Sequence, residues 1–346
     1  MQHMFSIEPG WVACFARLFE LCKITSDENV IILSETSSSQ LHVHLSKLGL
    51  GQIGRHYTHL ELPSAPDPTG PIVRSSGATQ ILGTQALAVQ MMCEAGIIID
   101  VTIEGLMHAP QTAEILKSGA RIMNISAEHP DVLCRLLPTA EMKDKVKEAV
   151  AYCREAKQMQ INSEDGTDLN VNMGGAASVG IWGWTDRAGT LAHWPGGIVV
   201  SFPQKNTVNG RLVMAPGDIN LSFKRYLESE VILNISDDYI TSIEGKGADA
   251  RLMRDYLAGF DSKEAYATSH VGWGLNTAAR YEALTIYDKA QTNGTELRAV
   301  AGNFLYSTGA NEFAGRFTRG HFDLPMMGCD IRLDDRLVVR QGKLVS

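Results

Sequence analysis

The chain has 346 residues, 44% of them hydrophobic and 20% charged, with a formal net charge of −8. That is the balance of a soluble globular protein with a sizeable core, long enough for about two domains. It contains no basic block for nucleic acid, no basic amphipathic stretch for a membrane surface, no apolar run long enough to span a bilayer and no signal-peptide order at the N-terminus. The six cysteines form no C-x-x-C pair, which predicts reduced thiols in a cytoplasmic protein.

The first part of the chain alternates between helical and strand periodicity. Apolar spacing predicts a helix over 11–22, a buried strand at "VIIL" (30–33), a helix over 39–49 and a strand over 57–62. A helix over 84–95, a strand over 96–101, a helix over 110–119 and a strand over 121–126 follow. This order predicts an α/β domain with a mainly parallel sheet. A charged amphipathic helix over 139–158, opened by Thr139, closes it. The remainder is rich in glycine and short β-type runs, with helical spacing only at "ARLMRDYLAGF" and "TAARYEALTIYDKA", and ends in a meander turning at Asp334-Asp335 and Gln341-Gly342. The expected organisation is a small α/β domain over 1–158 and a β-rich α+β catalytic domain over 159–346.

"GLGQIG" (49–54) matches G-x-G-x-x-G, but a dinucleotide fingerprint follows a strand and opens a helix. Here a helix precedes it and a strand follows, so the glycines are expected to stop a helix.

A different constellation carries chemistry. In "GHFDLP" (320–325), His321 and Asp323 would share one face of a strand while Phe322 takes the other. With one more histidine such a pair forms a 2-His-1-carboxylate triad with open positions, the pattern of non-haem Fe(II) oxygenases. His270, in "SHVGWGLN" (269–276), is the best third ligand, with Gly272 and Gly274 expected to let the backbone approach the site. On these three residues alone, zinc hydrolysis and iron chemistry stand equally open. His193 in "AHWPGG" and His108 in "LMHAP", between a strand and a helix, are candidate acid/base groups. His3, His42, His44, His56, His59 and His129 have no such context.

Taken together, "SHVGWGLN", "AHWPGG", "GNFLYSTG" (302–309) and "GHFDLPM" resemble, in order and spacing, the 2,5-dihydroxypyridine 5,6-dioxygenase family of bacterial nicotinate breakdown. "LMHAPQTAEILKSGARI", "LPTAEMK" and "GDINLSFKRYLESEVILNI" fit the same family. The family is related in fold to the M29 metallo-aminopeptidases, which carry two metals. In those peptidases a glutamate stands where this chain has His270, a glutamate ligand where it has Ile198 and a histidine ligand where it has Leu305. What remains suits a single metal held by His270, His321 and Asp323, and favours Fe(II).

The resemblance implies a ring-cleaving, extradiol-type dioxygenase of pyridine catabolism. A hydroxylated pyridine and dioxygen are its substrates, the ring opens beside nitrogen, and both oxygen atoms enter an N-formylmaleamate-type product. His108 and His193 would move protons. Ser307 and Thr308 would bind ring oxygens or dioxygen, although a plain turn before Gly309 explains them equally. Trp182, Trp184, Trp194 and Trp273 could stack on the ring or simply fill the core, and Trp194 is the substrate-side candidate. The pocket is expected between the domains. A homo-oligomer is expected, with no nucleic-acid or membrane partner. The alternatives are an M29-type aminopeptidase and a non-catalytic metal-binding homologue.

Overall fold

A computed structural model describes residues 6–64, 70–73 and 76–345; His3 lies outside them. The first sheet has five parallel strands in the order Thr58–Leu62, Val30–Glu35, Ile97–Asp100, Arg121–Ile125 and Leu191–Trp194. Its central strands read as unbroken apolar runs because both faces are covered, by helices such as Pro9–Leu21 and Gln40–Gln52 on one side and Ala86–Cys93 on the other. The last strand, Leu191–Trp194, lies well past residue 158 in sequence yet completes this sheet. The long helix is Ala140–Glu155, and the Thr139 hydroxyl caps it by accepting the Met142 N–H at 3.1 Å.

Two large antiparallel sheets follow, with a two-stranded ribbon, Ile219–Asn220 and Arg225–Tyr226, beside them. Eight strands form the outer one, and five form the inner one in the order Asp323–Met326, Phe304–Thr308, Thr268–Gly274, Ile198–Phe202 and Ala177–Ile181. Side chains alternate along the inner strands. Val199, Val271, Trp273, Phe304, Tyr306, Leu324 and Met326 pack with the outer sheet in one core. The intervening residues take the opposite face, toward the first sheet. That face is where the site lies.

Three local expectations are corrected. The glycines of "GLGQIG" do not all end the helix: it runs from Gln40 to Gln52, and only Gly54 takes a positive φ, +68°. Gly49 is a packing residue, since a Cβ there would lie 2.9 Å from Phe15 Cβ on the neighbouring helix. Second, "TAARYEALTIYDKA" gives only the short helix Ala283–Ile286 and a 3-10 turn at Lys289–Gln291. Asn276 Oδ1 accepts the Ala278 N–H and Glu296 accepts the Arg280 N–H, so side chains satisfy this backbone in place of a helical ladder. Third, Gly272 and Gly274 bring backbone close to a neighbouring strand and a helix end, and not to the site. Added Cβ atoms would lie 2.0 Å from the Val199 carbonyl oxygen and 2.2 Å from that of Val300. The helix Pro130–Arg135 has no counterpart in the sequence reading.

Candidate metal centre and its cavity

Strand alternation places His270, Leu305, Ser307 and Asp323 on the inner sheet's free face, beside Ile198 and Val200. His270 reaches it through a β-bulge. Thr268 pairs with Thr308 but Val271 pairs with Tyr306, so one extra residue is accommodated around Ser269 and His270. His321 lies two residues before Asp323, which opens the strand. Phe322 turns the other way, into a cluster with Phe223 and Tyr256.

One ligand atom from each of His270, His321 and Asp323 lies within 4.8 Å of the others, and all three side chains are buried. His321 Nε2 is 3.1 Å from Asp323 Oδ2, and His270 Nε2 is 3.8 Å from Oδ1. His321 donates its Nδ1–H to the Thr308 carbonyl at 2.7 Å, which leaves Nε2 with its lone pair toward the carboxylate. Burial pushes His270 down to about 3, so its imidazole is neutral, and its Nδ1 is buried without a hydrogen-bond partner. Burial also works against ionising Asp323. The adjacent Arg298 guanidinium nevertheless holds its carboxyl well below the usual range. Arg298 Nε lies 2.5 Å from Oδ2, and the Ser307 hydroxyl donates to Oδ1 from the directly paired strand. A carboxylate has about four acceptor positions, so these bonds leave lone pairs for another partner. Two neutral nitrogens and one anionic oxygen on a buried face fit a divalent transition metal.

The facing wall comes from the carboxyl ends of the parallel strands, where open α/β sheets place their ligands. Gly105, Met107, His108, Asn124, Ser126 and His193 line it, enclosing with the inner sheet a cleft of about 620 Å³ including its mouth. Both candidate acid/base histidines therefore share a cavity with the ligand cluster. His193 donates Nδ1–H to the Pro195 carbonyl at 2.7 Å, and burial lowers it to about 4, so Nε2 of a neutral ring is its acceptor. The His108 ring centroid is 6.1 Å from that of His321.

Other candidates fall elsewhere. Trp194 is fully buried in the core of the first sheet, its ring against Phe15 and its N–H on the Leu136 carbonyl at 2.9 Å. It cannot stack on a ring in the cleft, and no tryptophan is among the described residues that line it. Ser307 and Thr308 touch the cluster instead of the cleft wall: Ser307 holds Asp323, while Thr308 holds His321 through its carbonyl and the Phe322 N–H through its hydroxyl. Sequence reading missed Arg298, Asn293 and Thr295, which also line the cleft. They stand around a five-residue helix, Thr295–Ala299, whose first N–H groups are accepted by Glu128 from the other half of the chain, at 2.8 Å from Gly294 and 2.6 Å from Thr295. A contact spanning 166 residues leaves no local signature.

The family model described as NicX, 2,5-dihydroxypyridine 5,6-dioxygenase, matches residues 10–346. The chain belongs to the 2,5-dihydroxypyridine 5,6-dioxygenase family. It is 33% identical over 338 residues to the 2,5-dihydroxypyridine 5,6-dioxygenase of Pseudomonas putida (strain KT2440), an alignment covering 96% of this chain and 95% of that one. The solved structure of 2,5-dihydroxypyridine dioxygenase from P. putida KT2440 superposes with a TM-score of 0.91 at 32% identity, over 97% of each chain. Wild-type AmpT from Thermus thermophilus shares the fold alone, with a TM-score of 0.62 at 13% identity over 97% of this chain and 99% of that one. The expected fold class, a parallel α/β part followed by a strand-rich part, is borne out, and the chain is a dioxygenase. The aminopeptidase alternative is set aside by the family. The cleft agrees: Ile198 and Leu305, where that reading needs acidic and imidazole ligands, form apolar wall beside the cluster. Among the described residues no helix is long and apolar enough to cross a membrane.

Proposed function

We propose that this dioxygenase uses Fe(II) held by His270, His321 and Asp323 to cleave 2,5-dihydroxypyridine, or a closely related hydroxylated N-heteroaromatic, to an N-formylmaleamate-type product. The observation that carries this reading is the coincidence, in one cleft, of a buried N,N,O donor set with two further histidines. Bound Fe(II) supplies the one-electron chemistry that lets a ring diol react with dioxygen. The chain's own residues do the rest. Ile198, Val200, Leu305 and Met107 offer an apolar bed for a flat ring and displace water from it. Arg298 and Ser307 keep Asp323 anionic and oriented. His108 and His193 exchange protons with the ring hydroxyl and the opening product; for His193 the accepting atom is Nε2.

The reading also includes self-assembly, expected of the family, and a cytoplasmic location, which the six free cysteines support. The test is an anaerobic preparation loaded with Fe(II), given 2,5-dihydroxypyridine and, in parallel, small peptides. Oxygen uptake with the pyridine and no amino-acid release is expected. No uptake over a panel of aromatic diols would overturn the proposal.

A further inference from the structure

We propose that Glu312 is a positioning residue that fixes the tautomer and orientation of His108. The inference rests on the acid/base role given to His108 above. His108 Nδ1 lies 3.1 Å from Glu312 Oε1, across 204 residues of sequence and between the two walls of the cleft. A carboxylate only accepts, so Nδ1 carries the proton and Nε2 is left as the imidazole's acceptor. The His108 side chain is 9% exposed and that of Glu312 is 38% exposed. Burial alone would disfavour ionising Glu312, but the hydrogen bond from His108 holds its carboxyl below the usual range.

The loop that carries Glu312 is tied down on both sides. Asn311 is fully buried: its Nδ2 donates to the Pro203 carbonyl at 2.9 Å and its Oδ1 accepts the Ala314 N–H at 3.1 Å. Arg316 is buried against Asp238 and donates to the Thr268 carbonyl at 3.1 Å. The Ser269 hydroxyl, next to His270, donates to the Ala310 carbonyl, and Gly309 N–H donates to the Ala267 carbonyl at 2.8 Å. Glu312 is thus fixed to the strand that bears His270, while its carboxylate is delivered to a histidine on the opposite wall. On the far side, the His108 N–H donates to the Gly77 carbonyl at 2.6 Å. A single hydrogen bond to a partly exposed carboxylate adds little to stability, so the value of this contact lies in aiming a proton acceptor.

The test is a double-mutant cycle on the Fe(II)-loaded enzyme, with iron content and anaerobic substrate Kd measured beside kcat. Glu312→Ala is expected to lower kcat about 10- to 100-fold with iron content and Kd unchanged. Glu312→Gln, which keeps shape and an acceptor oxygen, is expected to lose less. In a His108→Ala background, Glu312→Ala is expected to lower kcat no further. A slow His108→Ala enzyme together with a Glu312→Ala enzyme within about twofold of the parent would overturn the inference, as would losses that multiply. A His108→Ala enzyme at full rate would instead remove the acid/base role of His108, and the inference with it.

Discussion

The two walls of the cleft are built differently. One is a face of an antiparallel sheet: His270, Asp323, Ser307, Leu305 and Ile198 stand on paired strands whose other face is locked into the main core. The other is a set of loop and strand ends from a parallel sheet, carrying His108, Asn124, Ser126 and His193. A sheet face fixes interatomic distances through its ladder, which suits groups that must hold an ion at set geometry. Loops at strand ends suit groups that meet a substrate and move a proton. In the function proposed above, one wall holds the metal and the other moves protons.

The largest expected effect breaks the holding wall. Asp323→Ala and His270→Ala each should eliminate bound iron and all oxygen uptake, read by metal analysis of the anaerobically loaded protein. Full iron and activity in either variant would discard the triad. The second effect isolates the other wall. His108→Ala and His193→Ala should retain iron while kcat falls about 10²- to 10⁴-fold. Loss of iron in these variants would blur the division. A smaller effect concerns Trp194. Trp194→Phe should lower Tm by leaving space in a closely packed core and losing the bond to Leu136, with KM unchanged. A raised KM would return Trp194 to the substrate side.

The smallest effect lies in the Glu128 cap that joins the halves. Burial, then the neighbouring Glu296, pushes Glu128 up to about 7 in the folded protein, against an ordinary value of 4.5. A raised folded-state value means the protonated form is favoured on folding. This group's contribution is therefore full below about 4.5 and is lost as pH rises through about 7. Glu128→Gln should flatten that part of the stability profile in chemical denaturation across this window. An unchanged slope would show that the group titrates normally.

The parallel sheet, the long helix with its Thr139 cap, and the H-x-D pair were legible in sequence because each is a local pattern: apolar runs, a capping residue, an i, i+2 spacing. His270, His108 and His193 were legible from motif context and family resemblance. What aims them was not. The bulge around His270 depends on the register of two strands, and Arg298, Glu312 and Glu128 act across 25 to 204 residues. Tryptophans illustrate the converse. Composition offers them as ring-stacking groups, yet Trp194 and Trp273 are consumed by the cores.

The most direct test of the central claim is turnover of 2,5-dihydroxypyridine by the Fe(II)-loaded enzyme under ¹⁸O-labelled dioxygen, with mass analysis of the ring-opened product. The account predicts that both label atoms of one dioxygen enter the product. A product carrying one label or none would contradict it.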